Sequence, residues 1–118
     1  MSRPFSADVD RGAPEPRIVL RGDVTAAADP GLPDAYAEAT RSGATSVLLD
    51  FADVGFMNST GIALVVELLA DAMQHGRSLR ATGLSAHYRE IFEITRLAEH
   101  ITVVTGTAAE TAAAGGTA

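Results

Sequence analysis

The sequence has 118 residues, of which 47% are hydrophobic, and its 15 acidic and 9 basic side chains give a formal net charge of −6. This length and hydrophobic content indicate one packed domain, and the scattered basic residues argue against nucleic acid or an anionic membrane as a partner. The chain has no cysteine, which excludes disulfides, thiolate metal sites and a cysteine nucleophile.

The two ends of the chain differ from the middle in composition. Residues 1–16 contain three prolines and mixed charges, which predicts a loosely held arm with one short edge strand near Phe5 to Val9. No apolar run has the form of a signal peptide or reaches the ~18 residues of a membrane span, so we expect a cytoplasmic protein. Residues 106–118 are mostly Ala, Gly and Thr, which predicts a disordered tail.

We place the domain at residues 17–105. In its first half, short apolar runs alternate with segments that have helical periodicity. Ile18 to Leu20 predicts a strand, and a helix follows from about Leu32 to Arg41. The continuous apolar run from Ser46 to Phe51 predicts the central strand, covered on both faces by helices.

The second predicted helix is the longest and runs from about Ser59 to His75. Its spacing assigns a buried face to Ile62, Val65, Val66, Leu69 and Met73. Its other sides are also apolar, with Ala63, Leu64 and Leu68, which predicts a docking surface on this helix.

The last part of the domain continues the alternation. Leu79 and Ala81 indicate a strand, Ser85 can cap a third helix, and Ile101 to Val104 indicates a final strand. The β-α-β-α-β-α-β order predicts a small α/β fold with about four mostly parallel strands packed with helices.

Motifs for bound groups are missing from the chain. It contains neither the GxxxxGK[ST] nor the GxGxxG pattern of nucleotide-binding loops, and its three histidines lack the spacing of a helical metal pair. A serine hydrolase that uses Ser59 would lack the GxSxG elbow. We therefore expect no cofactor, no metal and no catalytic residue.

The segment Asn58-Ser59-Thr60-Gly61-Ile62 lies where the central strand gives way to the longest helix. One interpretation is structural, because Asn58 or Ser59 can cap the helix by accepting hydrogen bonds from its first turn. The alternative is a modification site, because two hydroxyls and a glycine occupy consecutive positions before an apolar helix. The glycine is expected to leave the backbone beside the hydroxyls open to another molecule. A phosphoryl group there would add roughly −1.5 to −2 charges, which the helix dipole tolerates and a docked partner would not.

The run from Val47 to Ile62 resembles the signature of STAS domains, and specifically of bacterial anti-sigma factor antagonists, in which an apolar strand leads into D-S-[ST]-G-[LI]. The resemblance extends from about Ile18 to Val104 and includes Gly83-Leu84-Ser85 and Ile94-Thr95-Arg96-Leu97. It implies a STAS-type fold and a binding switch without enzymatic activity. The implied partners are an anti-sigma factor with serine/threonine kinase activity, a phosphatase and other STAS proteins.

The resemblance also implies roles for individual residues. It assigns the phosphoacceptor to Thr60, with Ser59 as the second candidate. Asn58 stands where the family has an acidic residue, and the family's G-E-L-D turn corresponds to Gly22-Asp23-Val24-Thr25. We expect the partner surface to include Asp23, Asn58, Ser59, Thr60, Gly61, Ala63, Leu64 and Glu67. A STAS module that assembles constitutively, without phosphotransfer, is the alternative function.

Overall fold

The structure is a computed structural model that describes residues 3–11 and 15–104. Its strands are β1 (Ser6–Asp10), β2 (Arg17–Val24), β3 (Ser46–Met57), β4 (Ser78–Thr82) and β5 (Ile101–Val104). Its helices are α1 (Gly31–Thr40), α2 (Ser59–Gln74) and α3 (Ala86–Ile94), with short 3₁₀ turns at Ala26–Ala28 and Leu97–Glu99. The predicted tail at residues 106–118 lies outside the described residues.

The strands form one sheet in chain order, from β1 to β5. β1 is antiparallel to β2, and the other neighbours are parallel to each other. The predicted α/β fold is therefore confirmed, with a sheet that gains its fifth strand from the N-terminal arm. No helix in residues 3–11 and 15–104 has both the length and the hydropathy needed to cross a membrane.

One face of the sheet carries the core. Buried side chains alternate along β2, β4 and the first half of β3, and the register aligns Ile18 with Leu49, Val47 with Leu79, and Leu79 with Ile101. All three helices pack on this face, because the buried residues of α1, α2 and α3 join those of the strands in a single cluster. The aromatic rings of Phe51 and Phe92 meet edge to face there, with centroids 6.1 Å apart.

The other face of the sheet is polar, so the prediction that β3 is covered on both faces was wrong. The Arg17 guanidinium lies 2.8 Å from the Asp50 carboxylate, and the Arg80 guanidinium lies 2.7 Å from the Glu15 carboxylate. Leu48 shares this face and is only half-buried. An apolar side chain at position 48 hides the alternation of β3, which made the segment look buried on both sides.

The N-terminal arm is held against the ends of β2 and β3. The Asp23 backbone N–H donates to the Arg3 carbonyl at 3.2 Å, and the Arg3 N–H donates to the Asp23 carboxylate at 3.0 Å. Gly22 has a φ of 86°, and a Cβ at this position would lie 1.9 Å from the Pro4 carbonyl oxygen. Only glycine allows this close approach, so residues 3–5 are packed instead of loosely held.

We predict that Phe92→Ala destabilises the domain by about 3–5 kcal/mol, because it removes a fully buried ring from the core. Ile94→Ala is the matched control on the same helix, since Ile94 is 73% exposed, and it should change stability by no more than about 0.5 kcal/mol. Urea unfolding followed by circular dichroism measures both. Equal effects of the two substitutions would contradict the position of α3 on the core.

Candidate functional site

The candidate site lies where β3 ends and α2 begins. The Asn58 N–H donates to the Val24 carbonyl at 3.3 Å, which attaches the start of α2 to the end of β2. From the other side, the Tyr88 hydroxyl of α3 accepts a hydrogen bond from the Met57 N–H at 2.8 Å. Three elements therefore fix the backbone immediately before the first turn of α2.

Asn58 is the N-cap of α2. Its side-chain oxygen accepts a hydrogen bond from the Gly61 N–H at 2.9 Å, and its backbone is extended with φ −109° and ψ −178°. This geometry decides the question that the sequence left open, because the cap is Asn58 and not Ser59. The hydroxyls of Ser59 and Thr60 are thus not needed to begin the helix.

Ser59 and Thr60 are both exposed. Within the part of the chain that the structure describes, neither hydroxyl and neither backbone N–H of these two residues forms a hydrogen bond. The start of a helix carries a partial positive charge. The first turn therefore presents two free hydroxyls beside N–H groups that can interact with an anion.

Gly61 has a packing role. A Cβ at this position would lie 1.8 Å from the Val24 carbonyl oxygen, so the first turn of α2 packs directly on the backbone of β2. The residue is buried, and the prediction that this glycine leaves the backbone open to another molecule was wrong.

The exposed face of α2 carries a continuous stripe, which we call the α2 stripe. It consists of Ser59, Ala63, Val66, Ala70 and Met73. The predicted buried face was partly wrong, because Val66 is 42% exposed and Met73 is 58% exposed. Leu64 and Leu68 were predicted on the outer surface but are only 6% and 4% exposed.

The buried face of α2 is rotated about the helix axis relative to the predicted one, because α2 carries apolar residues on all its sides. Since apolar residues surround the helix, periodicity alone does not select the face that meets the sheet. Leu64, Val65 and Leu68 are buried in the core, and the exposed apolar residues of α2 include Val66, Ala70 and Met73 instead. Leu64 therefore cannot contribute its side chain to a partner surface, whereas Ala63 and Glu67 are exposed as expected.

Asp23 lies beside the site, on the neighbouring strand. In the sheet it is aligned with Phe56, two residues before Asn58. Its carboxylate is engaged by the backbone of Arg3, which gives it a structural role in holding the arm. The structure therefore places Ser59, Thr60, Ala63 and Glu67 on the exposed side of α2, whereas Gly61 and Leu64 are buried and were wrongly expected on the partner surface. Asp23 lies adjacent, on β2.

A recess of about 460 Å³ lies between α1 and α2, apart from the first turn of α2, and was not predicted. The Tyr36 hydroxyl is buried there without a hydrogen-bond partner among the described residues. Burial and the nearby Asp71 carboxylate raise the pKa of Tyr36, and the Arg77 guanidinium acts in the opposite direction. Asp71 is 3.5 Å from the His75 ring and 3.7 Å from the Arg77 guanidinium.

Comparisons with known proteins agree with the fold. Residues 7–105 match the family model described as "Mlab, STAS domain". No curated protein sequence gives a significant match.

Solved structures with this fold are distant in sequence. An anti-sigma factor antagonist from Mycobacterium paratuberculosis has a TM-score of 0.68 at 18% identity, with 97% of each chain covered. The anti-sigma factor antagonist SpoIIAA in its unphosphorylated form has a TM-score of 0.66 at 19% identity, covering 89% of this chain and 93% of that one. The Bacillus cell fate determinant SpoIIAA in its phosphorylated form has a TM-score of 0.65 at 20% identity, covering 89% of this chain and 95% of that one.

We predict that Asn58→Ala destabilises the domain by about 1 kcal/mol, because the Gly61 N–H loses its acceptor. Asn58→Asp should retain or slightly increase stability, since a carboxylate also caps the helix and interacts favourably with its dipole. Chemical denaturation at neutral pH measures both variants. A loss of stability in Asn58→Asp equal to that of Asn58→Ala would refute the capping role.

Gly61→Ala is predicted to destabilise the domain by at least about 2 kcal/mol, because the added methyl group meets the Val24 carbonyl. In an unobstructed helix the same substitution would stabilise by about 0.5–1 kcal/mol, so the sign of the change is diagnostic. Thermal unfolding of Gly61→Ala beside Thr60→Ala, which alters an exposed neighbour, tests it. A more stable Gly61→Ala variant would show that α2 does not pack on Val24 as described.

Proposed function

Because this chain belongs to the STAS domain family, we propose that it is an anti-sigma factor antagonist, a non-enzymatic protein that sequesters an anti-sigma factor in the cytoplasm. The observation that carries this proposal is the first turn of α2. There, the free hydroxyls of Ser59 and Thr60 adjoin an exposed apolar stripe. A reactive hydroxyl at the edge of a docking surface is the arrangement that a phosphorylation-controlled binding protein requires.

Structural relatives support this assignment. Two of the similar structures are described as anti-sigma factor antagonists, and SpoIIAA has been solved in both its unphosphorylated and its phosphorylated form. In our proposal the unphosphorylated chain binds an anti-sigma factor that is also a serine/threonine kinase. The sigma factor is then free to act, and phosphorylation of the chain reverses the association.

The proposed modification is a phosphoryl transfer to a hydroxyl of the first turn of α2. The hydroxyl oxygen forms a bond to the γ-phosphorus of ATP, the bond from that phosphorus to ADP breaks with ADP as the leaving group, and the hydroxyl proton passes to a catalytic base of the kinase. A phosphatase would restore the hydroxyl by hydrolysis. The phosphate is tolerated by the fold, because it lies at the positive end of α2 beside the free N–H groups of Ser59 and Thr60.

The geometry of α2 distinguishes the two candidate acceptors. The resemblance in sequence assigns Thr60, but Ser59 lies in line with Ala63 and Val66 on the α2 stripe, whereas Thr60 lies about 100° around the helix from Ser59. A phosphate on Ser59 would project into the apolar stripe, where a partner must exclude water. A phosphate on Thr60 would project towards the flank that carries Glu67. We therefore propose Ser59 as the principal acceptor and Thr60 as the second.

A constitutive STAS module is the second candidate function. In this role the α2 stripe would bind another protein of a signalling complex, such as a second STAS domain, without phosphotransfer. The observation that favours it is Asn58, which caps α2 with a neutral amide and so lacks the family's carboxylate, a charge that could help to orient the acceptor hydroxyl or the metal of a kinase during phosphotransfer. The two functions differ in whether any hydroxyl of the first turn is ever phosphorylated.

A hydrolase that uses Ser59 receives less support. Its mechanism requires a base within hydrogen-bond distance of the nucleophile. In residues 3–11 and 15–104 no histidine or carboxylate forms a hydrogen bond with the Ser59 hydroxyl.

We predict that Ser59→Asp weakens binding to the cognate anti-sigma factor at least about 100-fold, since a charge enters the apolar interface. Ser59→Ala should bind like the wild type and resist phosphorylation, and Thr60→Ala should bind and still be phosphorylated. Titration calorimetry with purified anti-sigma factors of the source organism, together with mass spectrometry of the peptide containing Asn58–Ile62 after incubation with ATP, gives both readouts.

The outcomes separate the candidates. Phosphate found only on Thr60 would reverse our assignment of the acceptor. Tight binding without phosphate on either residue would favour the constitutive module, and no binding to any anti-sigma factor would overturn the proposed function.

A further inference from the structure

We infer that the partner docks on α2 with a helix of its own, which presents apolar residues at heptad spacing and a lysine or arginine opposite Glu67. This inference rests on the proposed function, because it names the chemistry of the surface that meets the α2 stripe. It depends on the spacing of the stripe and on the charges at its edge.

The α2 stripe has the spacing of a helix-packing seam. Its five residues are separated by four, three, four and three positions, which is the alternation of the a and d positions in a coiled coil. With a rise of 1.5 Å per residue the seam is about 21 Å long, which corresponds to four turns of a partner helix.

The side chains of the seam are suited to close contact between two helices. Ala63 and Ala70 occupy equivalent positions one heptad apart, and Val66 and Met73 occupy the other pair of positions. Small residues at repeated positions let helix axes approach to the lower end of the usual 8–10 Å. Val66 and Met73 are large, and their exposure in the isolated domain is unfavourable unless another apolar surface covers them.

The acidic charge at the edge of the α2 stripe favours a partner helix with basic side chains. Helix α2 contains the acidic residues Glu67 and Asp71 and no basic residue. Glu67 follows Val66 at the edge of the seam, is exposed, and has no ion-pair partner among the described residues. A basic side chain at the facing edge of a partner helix could therefore form an ion pair with Glu67 without displacing another cation.

The same charge argues against a second copy of this chain as the occupant. Val66 lies at the centre of the seam, so an antiparallel pair of α2 helices would place both Glu67 carboxylates on one side, close to the two-fold axis. A parallel pair would place each Glu67 against Ile62 of the other copy, because Ile62 lies on the opposite edge of the seam. Neither arrangement places a basic side chain opposite Glu67.

The test uses the full chain and two synthetic helical peptides of 21 residues. Both have leucine at the a and d positions, and they differ only in carrying arginine or glutamate along one edge. We expect the arginine peptide to bind more tightly than the glutamate peptide, with chemical shift changes confined to the α2 stripe. Val66→Glu should weaken binding of the arginine peptide at least tenfold while circular dichroism remains unchanged.

Charge reversal at Glu67 has a matched control in Glu38, an exposed residue of α1 that lies away from the stripe. Glu67→Arg and Glu38→Arg change the net charge equally. Glu67→Arg should weaken binding of the arginine peptide about threefold or more and strengthen binding of the glutamate peptide. Glu38→Arg should have little effect on the binding of either peptide. Equal effects of the two reversals, or shift changes outside α2, would overturn the inference.

Three further outcomes are decisive. Dimerisation of the wild type in sedimentation experiments, abolished by Val66→Glu, would identify a second copy as the occupant and overturn the inference. Binding of an anti-sigma factor that Val66→Glu leaves unchanged would also overturn it, while the proposed function would stand. Peptide binding as expected, without binding to any anti-sigma factor, would support the docking mode and reject the proposed function.

Discussion

The candidate site depends on the contact between the first turn of α2 and the Val24 carbonyl. This oxygen accepts the Asn58 N–H and lies so close to Gly61 that no side chain fits there. The contact fixes where the helix begins, because Asn58 must be extended to reach Val24 and can then cap the Gly61 N–H. It also fixes the rotation of α2, since the side of the first turn that carries Gly61 has to face the sheet. Ser59 therefore faces outwards as a consequence of packing at Gly61.

Other elements restrain the same turn. Tyr88 binds the Met57 N–H from α3, and α3 is itself started by Ser85, whose hydroxyl accepts the Tyr88 N–H at 3.2 Å. The arm reaches the neighbouring strand end through Arg3 and Asp23. A backbone held from several directions reduces the conformational freedom that a kinase or partner must remove on binding. The hydroxyls are consequently presented by a fixed turn, with their mobility limited to the side chains.

Much of this architecture could be predicted from the sequence. Short apolar runs and caps such as Ser85 indicated the strands and helices in the right order, because these signals are local. The rotation of α2 could not be predicted in this way, since an apolar helix offers two plausible faces and the choice depends on a contact between Gly61 and Val24, residues distant in the chain. The open face of the sheet was missed for a similar reason, because Leu48 is apolar on a polar face. The α2 stripe does carry a signal, the four-three spacing from Ser59 to Met73, but it becomes visible only after the buried face is known.

The neutral cap of α2 bears on how a phosphorylated form would be tolerated. An acidic cap beside Ser59 would repel a phosphate on that residue, because two anions would share the same first turn. Asn58 provides the same hydrogen bond to Gly61 without this repulsion, and it leaves the positive end of the helix dipole to the incoming phosphate. The amide therefore lowers the electrostatic cost of the phosphorylated state within the domain, while the neighbouring apolar residues Ala63 and Val66 of the α2 stripe raise its cost at an interface. A phosphate on Ser59 would thus weaken association with a partner much more than it weakens the fold, and this difference is what a binding switch requires.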